Sequence, residues 1–474
     1  MAQGYHRRPM SAPWNRLLPS TARLWLEGRP HVQNVIGNTA WLFADRVLRM
    51  AVGMVVALWV ARYLGPTQFG GLNYALAFAA LFSAFANLGL DSIVIRNLVR
   101  DPACTDDTLG TAFALKLAGG FVTLALTALA IHFARPTGDP ARALVVIIAA
   151  GNVFQAFDTI DFWFQSQVRS KFTVSARNAA FLLVSLVKIV LILAQAPLLA
   201  FVWAAAGEIV LGAYGLIVAY RLAGHTLSGW RFSPVRAREL LGQSWPLFLS
   251  AAFVTLYIRI DQVMIGQMLG DRDVGIYSAA ARLTEAWYFI PLAITSSVFP
   301  AVVSAKQHGE ATYYQRLEKL FLLMVWLAVA VAIPSMLLAG PIVRILFGPE
   351  YRGAATVLAI QCWSGLFIFS GLVSNQWYLL ENLNHYTLYR HILGAALNVG
   401  LNLLLIPRYG IKGAAMATLT TQLLASYLFD ALNRRTWAVF RIKSRCFFLF
   451  VPMTVRALQD ILAAHRNARL RESG

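Results

Sequence analysis

The sequence predicts an all-α polytopic membrane protein of about twelve transmembrane helices in two six-helix bundles. Three observations predict it. Of 474 residues, 58% are hydrophobic and only 13% charged, where soluble domains carry about 25% charged residues. Apolar runs of bilayer-crossing length recur twelve times, each needing ~20 residues. The longest inner connection, Arg221 to Gln243, divides them six and six and holds Gly224, Gly229, Pro234 and four arginines.

The runs lie near 38–62, 72–95, 110–133, 142–164, 174–195, 198–220, 244–269, 276–303, 318–340, 353–380, 388–406 and 411–433. Helices are the economical solution, because backbone groups in lipid must pair within their own segment. A barrel would need ~10-residue alternating strands, and these runs are longer and continuously apolar. The short connections exclude a soluble catalytic domain. The organisation expected is an amino-terminal cytoplasmic or interfacial segment (1–37), a first bundle (38–222), a linker (223–243), a second bundle (244–433) and a basic cytoplasmic or interfacial tail (434–474).

Within this frame each part has a reason. The first 37 residues are long, polar and arginine-bearing, and a full-length span follows, so they are not expected to be a cleaved signal. After the first run comes Leu64-Gly65-Pro66-Thr67-Gln68-Phe69-Gly70 and then Tyr74; after the seventh comes Leu269-Gly270-Asp271-Arg272-Asp273-Val274-Gly275 and then Tyr277. An LG pair at a helix exit, a glycine five residues on and a following aromatic at equivalent places mark two repeated halves. In the tail, Arg434, Arg435, Arg441, Lys443 and Arg445 precede a stretch from Cys446 to Val451 that is apolar but too short to cross.

The net charge of +19 is better explained by topology than by nucleic acid. Lysine and arginine concentrate in the head, the inner loops and the tail, which places both termini in the cytoplasm under the positive-inside rule. Part of that charge is expected to rest on anionic membrane lipid. Cys104, Cys362 and Cys446 are isolated and give neither a metal spacing nor a disulfide framework.

Charges inside the spans carry the functional signal, since each costs roughly 2.5–3.5 kcal/mol near a bilayer centre. Asp45, Arg46 and Arg49 lie in the first span. The arginines are three apart and share a face, while Asp45 and Arg49, four apart, can pair. One carboxylate against two guanidiniums leaves a positive surplus. In the seventh span Arg259 and Asp261 are two apart, so they point in opposed directions and each needs its own partner. Asp261 is read as carrying a coupling ion or forming a structural salt bridge. Lys188 sits deep in the fifth span. Glu208, central in the sixth, is a candidate for proton titration or for a bond to Lys188. Arg282 and Glu285 are expected to satisfy each other, and Asp91, Asp158 and Asp161 to meet arginines such as Arg96 and Arg169. Among the aromatics, Trp377 and Tyr378 are the candidates for sugar contact, whereas Trp41, Trp245 and Trp437 fit membrane interfaces.

Four stretches carry a resemblance. They are Asn38-Thr39-Ala40-Trp41-Leu42 leading to Asp45-Arg46 and on to Ala61–Gly70; Tyr257 to Asp261, Ile265-Gly266 and Leu269–Tyr277; Leu346-Phe347-Gly348-Pro349-Glu350-Tyr351; and Asn402 to Ile411 followed by Gly413-Ala414-Ala415. In order and spacing the chain resembles the polysaccharide-export branch of the MOP exporter superfamily, most of all Wzx-type O-antigen flippases. The resemblance implies a MATE-like pair of bundles around a central cavity. It implies a flippase in a bacterial cytoplasmic (inner) membrane, carrying undecaprenyl-pyrophosphate-linked oligosaccharide from the inner to the outer leaflet by alternating access. It also implies no cofactor, coupling to a proton or sodium gradient, and other polysaccharide-assembly proteins as partners. Arg46, Arg49, Arg259 and Lys188 are then the expected pyrophosphate-facing cations, because arginine's planar fork can donate two hydrogen bonds to phosphate oxygens. Asp45, Asp261 and Glu208 are the expected ion-coupling or charge-pairing carboxylates.

Two other readings stand beside it. One is an ion-coupled multidrug or metabolite exporter of the same superfamily, for which acidic cavities suit cationic drugs. The other is an outward-acting enzyme, which the sequence disfavours. It has no nucleotide loop, metal cluster or nucleophile–base pattern, and His132, His308, His385 and His391 are scattered.

Overall fold

A computed structural model describes residues 30–449 and Pro452, with side chains from Leu48 onward. The expected sites Asp45 and Arg46, the ring of Trp41, and most of the amino-terminal and carboxy-terminal segments therefore lie outside the described residues.

The first bundle is built from α1 (Pro30–Leu81), α2 (Ser83–Asn87), α3 (Asp91–Arg100), α4 (Thr105–Ala134), α5 (Pro140–Asn152), α6 (Asp158–Ser166), α7 (Lys171–Leu193) and α8 (Leu198–Leu222). The second follows with α9 (Pro234–Met268), α10 (Asp271–Glu285), α11 (Phe289–Lys306), α12 (Glu310–Leu337), α13 (Ala339–Leu346), α14 (Gly353–Gln361), α15 (Ser364–Leu380), α16 (Asn384–Tyr409), α17 (Ile411–Ser426) and α18 (Trp437–Phe448). Local chemistry sets several starts. Asp139 caps α5 by accepting from the Ala141 N–H at 2.8 Å, and Ser233 caps α9 by accepting from Arg236 N–H at 3.4 Å. In both, proline occupies the first helical position, where its missing N–H costs nothing.

Nine helical stretches among the described residues are long and apolar enough to cross a membrane, and α14 with α15, meeting at 40°, makes ten. Twelve spans is consistent with this. The expected first two runs meet within α1 at the break at Gly65, the second continuing through α2 into α3, and the expected last run is shortened to the sixteen residues of α17.

The linker and α18 mark one end of the molecule, here the linker end; the turns at Gly65 and Gly270 mark the loop end. Both glycines adopt the same left-handed conformation, with φ 67° and ψ 173° at Gly65 and φ 102° and ψ 173° at Gly270. A side chain would be strained there. The repeat legible in the sequence is thus a repeat in backbone shape.

Apolar packing differs between the ends. One large cluster joins the bundles toward the loop end, drawing on Phe69, Tyr74 and Phe78 of α1 and on Val274, Tyr277 and Ala280 of α10. Toward the linker end the packing divides into two clusters, one around Trp163, Phe164 and Tyr220 that also takes in Leu240 at the start of α9, and the other around Phe321, Phe369 and Tyr378. A shared core at one end and separate cores at the other leave a cleft between the bundles.

Trp377 and Tyr378, the sugar-contact candidates, lie inside the second core at 2% and 0% exposure. Tyr378 donates its hydroxyl to Asp430, so these rings hold the bundle together and do not face a cargo. On α18, Val439, Ile442, Lys443 and Cys446 are buried against the second bundle, and Lys443 Nζ lies 2.6 Å from Asp430 with both side chains fully buried.

Candidate functional site

Three adjoining cavities share Leu76 and Ala205 as a common wall; first-bundle residues alone line the first, and the second bundle enters the other two through Arg259, Gln262 and Arg282. The first, about 470 Å³, is lined by Arg49, Asp158, Arg177, Lys188 and Glu208 among others. The second, about 340 Å³, is lined by Asn73, Asn152, Gln155, Arg259, Gln262 and Arg282. A narrow third of about 100 Å³ touches Phe181, Lys188 and Arg282. Helix periodicity explains the convergence. Arg49 projects from α1, Lys188 from α7 and Arg259 from α9, each on the face that its helix turns to the cleft.

The cations are not equivalent. Arg177 pairs with Asp158 at 2.8 Å and Asp161 at 3.1 Å. Lys188 Nζ lies 3.2 Å from Glu208 Oε2, so this lysine and this carboxylate enter the cavity as a pair. Arg49 stands over the Phe181 ring, 5.5 Å from its centroid. Arg259 and Arg282 line one compartment, and neither forms an ion pair with a described residue. The Arg282–Glu285 pair expected from spacing is not formed. Arg282 reaches across to α1, 5.9 Å from the Phe69 ring centroid, while Glu285 is exposed. Five cations thus line the cavities against two carboxylates, Asp158 and Glu208.

Sequence spacing missed Arg177 and Arg282. The partners of the inner-end acids also differ from expectation. Asp158 and Asp161 meet Arg177, Asp91 lies 3.9 Å from buried Lys116, and Arg96 donates to Gln243 at 2.6 Å.

Two residues beyond Arg259, Asp261 points away from the cleft into the second bundle, where it is 4% exposed. It accepts hydrogen bonds at 2.6 Å from each of Tyr277 Oη, Asn402 Nδ2 and Thr418 Oγ1. No lysine or arginine among the described residues pairs with it, so the salt-bridge alternative is not what the fold builds. Its partners come from α10, α16 and α17, helices that only tertiary packing brings to α9.

At the loop end the cleft is shut. A Cβ at Gly70 would stand 1.7 Å from the Asp271 carbonyl oxygen, and one at Gly275 would stand 2.0 Å from that of Pro66. Each repeat's second glycine therefore packs on the residue after the other repeat's first glycine. Around this crossing, Arg135 donates to Asp271 at 2.7 Å and to the Gly266 carbonyl at 3.1 Å while standing 4.3 Å over the Tyr74 ring. Gln267 donates to Tyr74 Oη at 2.5 Å, Tyr351 donates to the Ala61 carbonyl at 2.7 Å, and Arg62 donates to the Ile345 carbonyl. At the linker end, Arg236 of α9 bonds Asp101 at 2.7 Å. Hydrogen bonds from Cys104 and Arg236 hold that exposed carboxyl below its usual range.

Residues 35–306, more than half of the chain, match the family model described as polysaccharide biosynthesis protein. The chain belongs to the polysaccharide biosynthesis protein family. This family member also matches the MatE model over residues 246–404. It is 19% identical to the Staphylococcus aureus capsular polysaccharide biosynthesis protein CapF, over 82% of this chain and 97% of that one. It is 24% identical to a Haloferax volcanii protein named as the flippase AglR, over 82% of this chain and 81% of that one. A Shigella flexneri protein named as an O-antigen transporter is 26% identical over 39% of this chain and 44% of its own. Its fold is shared with the lipid II flippase MurJ in an inward closed conformation (TM-score 0.68, 12% identity, 88% and 92% coverage). It is shared too with an inward-facing multidrug resistance MATE transporter of the MOP superfamily (TM-score 0.66, 16% identity, 84% and 95% coverage).

Proposed function

We propose that this family member is a flippase. It would translocate undecaprenyl-pyrophosphate-linked oligosaccharide from the inner to the outer leaflet of the cytoplasmic membrane by alternating access, for surface polysaccharide assembly. The observation that carries this reading is the cationic cleft between the bundles, shut at the loop end, with Arg259 and Arg282 turned into it and not ion-paired among the described residues. A guanidinium held without a carboxylate in a low-dielectric cleft gains most from an anionic cargo.

With the linker end cytoplasmic, the pyrophosphate enters past Arg49 and reaches Arg259 and Arg282, while the polyprenyl chain stays in lipid. Asn73, Asn152, Gln155 and Gln262 beside those arginines offer neutral donors and acceptors to sugar hydroxyls. Lys188, tied to Glu208, joins when the anion competes for it. Asp261 takes the coupling role. A carboxylate surrounded by hydroxyl and amide groups, with no cation paired to it among the described residues, suits reversible occupancy by a proton or sodium. Asn402 Oδ1 and Gln361 Oε1 nearby are buried oxygens with no hydrogen-bond partner among the described residues. An ion-coupled exporter of cationic drugs fits less well, because its cargo would meet a positive wall.

The test is reconstitution in liposomes with a fluorescent polyprenyl-pyrophosphate sugar. Leaflet exchange that requires the protein and falls at least tenfold in Arg259→Ala and Arg282→Ala supports the reading. Efflux of a cationic dye with no sugar-lipid exchange overturns it.

A further inference from the structure

The second bundle contains a polar array that cargo binding does not use. Along α16, Arg390, Gly394, Asn398 and Asn402 recur every four residues and are all buried on one face. Opposite them on α9 stand Tyr257 and Asp261, again four apart. The Tyr257 ring lies 3.8 Å from where a Cβ on Gly394 would be, so the glycine lets the phenol sit between the Asp261 end and the Arg390 end.

The two ends are continuous with other polar groups. At one, Asn402 bonds both Asp261 and Asn398. At the other, Arg390 bonds Asn375 and stands 5.8 Å from the Tyr378 ring centroid; Tyr378 bonds Asp430, which pairs with Lys443 of α18. Between them, Tyr257 Oη, Asn398 Nδ2 and Arg390 Nη1 are buried without a hydrogen-bond partner among the described residues. Buried polar atoms of this kind are satisfied by water. The stripe from Asn402 to Arg390 rises about 18 Å at 1.5 Å per residue, more than half of the ~30 Å hydrocarbon thickness.

We infer that Tyr257, Asn398 and Arg390 line a hydrated file through which Asp261 exchanges a proton with the linker end, apart from the cargo cleft, and that Lys443 paired with Asp430 closes its mouth. This rests on the coupling role proposed for Asp261. A metal cation would have to pass the file intact, whereas a proton passes by bond exchange between waters and the Tyr257 hydroxyl, so the file suits a proton. The Asp261 O–H breaks onto a water. Tyr257 accepts a proton at Oη as it gives its own to the next water. The carboxylate left behind keeps its bonds from Tyr277, Thr418 and Asn402. The other titratable or charged groups around this pair are Glu285 and Tyr288 from the α10 side and Arg390 and His391 on α16.

The experiment uses full-length protein in proteoliposomes under an imposed pH gradient, with the fluorescent sugar-lipid as cargo. Hydrogen–deuterium exchange of the Asp261 carboxyl, assigned by its loss in Asp261→Asn, is followed by infrared difference spectroscopy. Tyr257→Phe and Arg390→Gln are expected to slow that exchange and pH-driven flipping at least tenfold. Equilibrium exchange of cargo without a gradient should be unchanged in Tyr257→Phe. If Asp261→Asn abolishes gradient driving while Tyr257→Phe and Arg390→Gln match wild type, the file is refuted and the coupling role stands. If Asp261→Asn is still driven fully by the gradient, the coupling role fails and the file with it.

Discussion

Replacing Gly70 by alanine adds one methyl at the place where the two halves lock, and the consequence can be worked from the backbone. The new Cβ would stand 1.7 Å from the Asp271 carbonyl oxygen and 2.8 Å from the Gly275 nitrogen. Both neighbours are main chain, so no rotamer change relieves the overlap. A carbon–oxygen contact needs about 3.3 Å, so α1 and α10 must part by roughly 1.6 Å. Overpacking of this kind costs about 1–3 kcal/mol. The same separation stretches the Arg135–Asp271 bond, now 2.7 Å, beyond hydrogen-bond range, and costs about 1 kcal/mol more. A total of about 2–4 kcal/mol shifts the equilibrium away from the loop-end-closed state roughly 30- to 700-fold. Spin labels at Arg62→Cys and Ile345→Cys, in a background free of the three native cysteines, report the separation across this end. Gly70→Ala should replace the short distance with a longer one, and flipping should fall in step. Gly71→Ala is the control, because its Cβ would meet nothing nearer than 3.7 Å. A Gly70→Ala variant with the wild-type distance distribution and wild-type flipping would refute the reasoning.

Other expectations follow from the same geometry. Arg135→Ala removes the ionic clasp without adding bulk, so it should lengthen the same label distance partially and slow flipping less than Gly70→Ala; a fully closed distribution in this variant would count against the clasp. Arg49→Ala should abolish surface polysaccharide at unchanged protein level, with Arg49→Lys retaining part of the activity. Arg282→Lys should likewise recover part of what Arg282→Ala loses in the liposome assay, and equal activities in the two would remove charge as the reason for Arg282. Lys443→Met leaves Asp430 buried without its partner and should destabilise the protein by about 3–5 kcal/mol, read as a lowered Tm in detergent. The double variant Lys443→Met with Asp430→Leu should recover most of that loss, and failure to do so would show that the pair is not what holds α18.

Much of the architecture was legible because lipid leaves few choices. Backbone polar groups must pair inside helices, so long apolar runs announced the spans, and the arginines within them announced a positive surplus inside the protein. The paired glycine motifs announced a repeat, since Gly65 and Gly270 adopt a conformation few other residues tolerate. Helix periodicity also separated Arg259 from Asp261, and the fold sends them to different interiors. Periodicity failed where partners come from distant helices. It offered Glu285 to Arg282, but α10 packs so that Arg282 faces Phe69 of α1. Their place near a helix end offered Trp377 and Tyr378 to a sugar, but the turn after α17 brings Asp430 to the Tyr378 hydroxyl.

The sequence by itself determined the class, the spans, the two halves and the sign of the charge they enclose, because each follows from local hydropathy, turn stereochemistry and composition. Only the tertiary structure decided which cations share the cleft, that Asp261 sits among the hydroxyls and amides of Tyr277, Thr418 and Asn402, and that the glycines of one half lock onto the other. Those depend on the crossing of helices far apart in the chain, where a difference of one methyl group or one helical turn changes the partner.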